Sequence, residues 1–194
     1  AVGYAALIDN TTGHSLVAIG HNALANNTTA SYNVAVGRDA GMTQTTAASN
    51  TLIGHAAGAY ITTGGNNVCI GYISGDAITT GDNNTIIGTN AGTTMTTGAR
   101  NTLVGRQAGD ALTTAVECVI IGNNAGSGLT TGQQNILIGD NAAAGGAVTG
   151  SLNTIIGDNA GYALTTGAGN TFFGGGAGGA LTTASNNTVI GYLA

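Results

Sequence analysis

Two carboxylates, Asp76 and Asp110, raise the first question of chemistry, because cleavage of a glycosidic bond needs a pair of acidic side chains. A mixed file of rings and cations runs through Tyr4, His21, Arg38, His55 and Tyr72, with Asp39 beside it. Rings of this kind stack on sugar faces, and imidazoles with a carboxylate hold metal ions. Asp9, His14 and Ser15 supply the residue types of a nucleophilic triad, and Gly174 to Gly179 is rich enough in glycine to suggest a phosphate loop. Paired threonines such as Thr62-Thr63 and Thr165-Thr166 offer hydroxyls to an ice surface. What each set can do depends on what holds it in place.

The framework is a repeat. Near-copies of Asn84-Thr85-Ile86-Ile87-Gly88 return along the chain, and the closing glycine recurs as Gly3, Gly20, Gly37, Gly54, Gly71, Gly88, Gly105, Gly122, Gly139, Gly157, Gly174 and Gly191. Every step is seventeen residues except Gly139 to Gly157, which is eighteen. Such strict self-similarity predicts an all-β parallel solenoid (β-helix or β-roll) of about eleven coils, with residues 1–194 forming a single array.

With the recurring glycine as register 0, like residues fall into columns. Register 16 includes Ile70, Ile87 and Val104, and register 15 is apolar throughout, so both faces of the strand they form need cover. One face lines the coil interior; a second copy of the chain is the expected cover for the other. Register 13 is mostly Asn, as in Asn67, Asn84 and Asn101, which predicts an amide ladder along the axis. Gly37, Gly54, Gly71, Gly88 and Gly105 mark corners whose backbone angles other residues resist. Every acidic residue, Arg, His and Tyr falls at register 1, 2, 5, 6, 11 or 12, which makes those positions the outward corners. They divide each coil into about three short straight segments. The extra residue lies within Ala143 to Gly146 and reads as a bulge.

The registers weigh on the chemistry. Asp76 and Asp110 share register 5 two coils apart, about 9.6 Å at the spacing of stacked strands, close to the separation in inverting glycosidases. Nothing nearby looks able to raise one pKa. Tyr4, His21, Arg38, His55 and Tyr72 share register 1, a candidate carbohydrate-contact edge; its imidazoles are too far apart for one metal, so no metal or cofactor is expected. The triad and phosphate-loop sets lack the strand-turn-helix and glycine-lysine settings they need. Adjacent threonines point one out and one in, so an ice-binding face would be a single narrow file. Cys69 and Cys118 fall three coils apart, about 14 Å, too far for a disulfide, and read as free and buried.

Composition narrows the partners. Gly is 35 of 194 residues, charged residues are 6%, aromatic residues are 4%, and the net charge is −5 with three basic residues. No basic stripe faces a phosphate backbone, so nucleic acid is not an expected partner, and no apolar run is long enough to enter a membrane. The array also lacks a polar capping unit at either end, which predicts a segment of a longer chain or an end that abuts another subunit.

The N-T-x-I-G-x-x-A-G run resembles the β-solenoid shafts of bacteriophage tail fibres and, more distantly, the head repeats of trimeric autotransporter adhesins. The resemblance covers the full 194 residues, and its motif is architectural. It implies a parallel homotrimer, outside a virion or cell, joined to other fibre or virion subunits and attached to a host-surface glycan or receptor. The expected function is thus a structural and adhesive fibre segment without catalysis. Alternatives are a polysaccharide-degrading fibre using Asp76 and Asp110, a bacterial surface adhesin or self-assembling filament, and an ice-binding protein.

Overall fold

Registers 14 to 16 are where each coil extends, because β-branched side chains fit a pleat and crowd a helix. In the computed structural model, which describes residues 1–194, they form eleven three-residue strands. These are β1 (Val17–Ile19), β2 (Val34–Val36), β3 (Thr51–Ile53), β4 (Val68–Ile70), β5 (Thr85–Ile87), β6 (Thr102–Val104), β7 (Val119–Ile121), β8 (Ile136–Ile138), β9 (Thr154–Ile156), β10 (Thr171–Phe173) and β11 (Thr188–Ile190). They make one parallel sheet in chain order. Ile87 lies between Ile70 and Val104, the neighbours a seventeen-residue turn dictates.

Only one of the three expected straight segments per coil is a regular strand. The rest is turn, yet it carries the stack: 102 of 122 backbone hydrogen bonds lie outside the strand ladder, most joining one coil to the next. The turns hold together because four registers per coil take positive φ. Registers 0 and 4 are mostly glycine, as in Gly88 (φ 139) and Gly92 (φ 58), while registers 2 and 12 place ordinary residues there, as in Asn90 (φ 56) and Asn83 (φ 57).

Register 15 points inward and is fully buried from Ala18 to Phe172. It packs with register 3, as in Ala91 and Ala108, and with register 7, as in Ile78, Met95 and Leu112, in one continuous core. The small residues at register 3 let the corner close onto the larger column. Registers 14 and 16 point outward, so the strand's second face is a file of Val, Thr and Ile in contact with water.

The irregular coil is richer than a one-residue bulge. The Gly126 amide donates to the Ala142 carbonyl, in the ordinary interval, but Leu129 is bridged to Val148, nineteen positions on (148 − 129). By Asn135 and Asn153 the offset is eighteen (153 − 135). The corner thus gains two residues and the following threonine pair loses one, so Thr149 stands alone where other coils have two threonines. Val148 still fills the core column left by Leu129.

Candidate functional site

Register 1 follows the glycine with φ near +137°, a corner that throws its side chain clear of the rod. At this spacing planar groups in successive coils lie over one another. Tyr4 stacks on His21 with ring centres 5.3 Å apart, and His55 stacks on Tyr72 at 5.2 Å. Arg38 stands between the two pairs and bonds through Nε to Asp39 Oδ2 at 3.1 Å. The other oxygen, Oδ1, accepts from Asn22 Nδ2 at 2.9 Å and lies 3.8 Å from His21 Nδ1. The structure brings all five register-1 residues into one file. Within each pair the facing ring surfaces cover each other, so that file presents mainly ring edges and the Arg38 guanidinium to anything outside.

Lower on the same edge the rings give way to amides and carboxylates. Arg106 bonds to Asn123, which donates to Asp140, with Asp158 one coil further. Hence one half of this edge carries Arg38 with its Asp39 partner and two imidazoles, and the other carries the carboxylates Asp140 and Asp158.

Asp76 and Asp110 occupy register 5, beside the register-4 glycine. Each has one carboxylate oxygen, Oδ1, buried without a hydrogen-bond partner. Partial burial raises both carboxyls above the ordinary value of 3.8, against the pull of nearby backbone amides. The sequence offers no group able to raise either pKa; the corner backbone itself does so by excluding water. The two environments are alike, however, and shift both carboxyls the same way, whereas an acid-base pair needs them pushed apart.

Other candidate sets do not come together. His14 Nδ1 approaches Ser15 Oγ at 3.3 Å, but no hydrogen bond links Asp9 to either, and His14 instead meets Tyr32 edge-on at 5.1 Å. The Gly174–Gly179 corner wraps a large side chain: a Cβ on Gly178 would run into the Phe172 ring. Cys69 and Cys118 are free and buried. Burial, then Asp76, pushes the Cys69 thiol up to about 12, and burial also raises Cys118. No three metal-ligating side chains converge, and no cavity opens in the rod, so any ligand is met on its surface.

The threonines divide by role. At register 8 the hydroxyl donates to the carbonyl one coil on, as Thr28 to Thr45, Thr45 to Thr62 and Thr62 to Thr79. These ladders use the donors internally. The strand threonines at register 14, Thr51, Thr85, Thr102, Thr154, Thr171 and Thr188, make no side-chain hydrogen bond and face outward beside Ile or Val. The T-x-I alternation is the sequence signal for this face, partly masked by the two apolar residues in a row at registers 15 and 16. No known protein family, curated protein or solved structure matches the chain.

Proposed function

We propose that this chain is a structural and adhesive segment of a fibre on the outside of a virion or cell, of the phage tail-fibre kind its motif resembles, serving attachment to a host surface. The supporting observation is the rod itself: the coil repeats along its length with one irregular turn, while charged groups are confined to outward corners. That division suits a stiff spacer displaying contact groups. The register-1 file from Tyr4 to Tyr72 is the proposed glycan-contact edge, and the outward strand face is where other copies sit. Incubating the labelled chain with bacterial cells and purified surface polysaccharides tests this. Saturable binding that falls when His21, Arg38 and His55 are together replaced by Ala supports the reading. Absence of binding to any cell or glycan removes the adhesive part.

A polysaccharide-degrading fibre is the second reading, and it rests on Asp76 and Asp110, two register-5 carboxylates that each hold one buried oxygen without a partner. It predicts new reducing ends from a capsule polysaccharide, lost on Asp110→Asn. Without such products the fibre is an attachment device alone.

A further inference from the structure

We propose that the outward strand face pairs with the same face of a second copy running in the opposite direction, as a two-fold dimer. This inference goes beyond the attachment reading and does not depend on what surface the fibre meets. The face is eleven strands long and three residues wide, about 53 Å by 10 Å, and carries no charge at register 14 or 16. Two such faces hide about 1,000 Å² before their corners are counted, which is the size a specific interface must reach.

The edge charges set the direction. Take a two-fold axis parallel to the strands and passing between β5 and β6, so that β2 faces β9 and β3 faces β8. The register-1 files of the two copies then run side by side in opposite senses. Arg38 meets Asp158 and His55 meets Asp140, each twice by symmetry. Arg38 meets Asp39 through Nε and is 66% exposed, so its guanidinium can also reach a carboxylate across the interface. On the other edge Tyr32 meets Leu152, two apolar side chains each 61% exposed in the single chain.

Other arrangements lose these contacts. Sliding one copy by a coil in one sense sets Arg106 against its own symmetry mate; sliding it the other way parts Tyr32 from Leu152 and shortens the overlap. In a parallel two-fold, residues at equal height meet, so Arg106 comes beside Arg100 and Asp158 beside Leu152. Arg38 then faces Tyr32 and His55 faces Ser49, so neither meets a carboxylate across the interface.

Sedimentation of the full chain at micromolar concentration should give a dimer. Arg38→Asp and Asp158→Arg are corner substitutions that leave the core intact, and each should weaken dimerisation roughly tenfold. Combined in one chain they should restore it, because the reversed charges meet again. In a parallel assembly residues 38 and 158 lie about seven coils, or 34 Å, apart and the combination rescues nothing. Ile87→Lys, on the outward face, should give a monomer with unchanged circular dichroism. A trimer, which the tail-fibre resemblance implies, a monomer at all concentrations, or a dimer without charge-reversal rescue overturns the pairing. Retention on cells is measured on the Ile87→Lys monomer, which keeps the register-1 file, so loss of the dimer leaves the attachment reading standing.

Discussion

At the scale of single residues, the fold rests on backbone angles that side chains resist. Gly88 takes φ 139, and a Cβ there would strike the carbonyl of Gly105 in the next coil. Gly88→Ala should therefore cost roughly 3 kcal/mol, strain and clash together, measured by urea unfolding. Ile73 is the opposite case, a β-branched residue at φ 54 where neighbouring coils place Ala56 and Asn90. The left-handed region costs an ordinary residue about 1–2 kcal/mol, and Asn tolerates it better. Ile73→Asn should thus stabilise the rod by about 1 kcal/mol, a rise of about 2–4 °C in Tm. The strained glycines were legible in the sequence because a fixed residue marks a fixed angle. Registers 2 and 12 were not, since Ile, Leu, Tyr, Asp and Gln all stand there beside Asn. Stacking on neighbouring coils overrides intrinsic preference at those registers, and a scattered excess of Asn was the only trace.

At the scale of the coil, the amide ladder is anchored more to the backbone than to itself. Asn67 Nδ2 donates to the Gly81 carbonyl at 2.9 Å, while its Oδ1 accepts from the Asn84 amide at 3.0 Å. The side chain thus satisfies buried polar groups of the next coil at two corners, which explains why Asn is retained in a position with no access to water. The repeat showed the column; its partners needed the path of the turns. Cys118 interrupts it. Its own amide still donates to Asn101 Oδ1 at 3.0 Å, but its thiol offers only a weak donor to the Gly132 carbonyl, and the Asn135 amide has no side-chain oxygen in this coil to donate to. Cys118→Asn should restore both bonds and stabilise the chain by about 1 kcal/mol, seen as a higher urea midpoint with an unchanged slope. A lower midpoint would mean that the cavity left for sulfur is too small for the amide. The strand register was readable for a related reason: a slip of one would turn register 15 out to water, so the apolar pattern tolerates only one alignment.

At the scale of the whole molecule, a core with few charges changes the usual response to pH. Asp76 and Asp110 have raised pKa values in the fold, so the folded chain binds their protons more tightly than the unfolded chain does. Stability then rises as pH falls from neutrality through the folded values, and this contribution is complete below 3.8, the ordinary value. Cys69 works at the other end. Its thiol is raised from 9.0 to about 12, so its contribution is full below pH 9.0 and is lost as pH climbs toward 12. The expected profile is a Tm higher near pH 4 than near pH 7, with a decline above pH 9.0. Two substitutions separate the limbs. Asp76→Asn with Asp110→Asn should flatten the acid limb, since the amides cannot titrate, while Cys69→Val, an apolar replacement in a column that already holds Val189, should flatten the alkaline one. A Tm that drops between neutral and mildly acid solution in the unsubstituted chain would show that the corner carboxyls are solvated after all, and their buried oxygens would then cease to distinguish them from the other acidic corners.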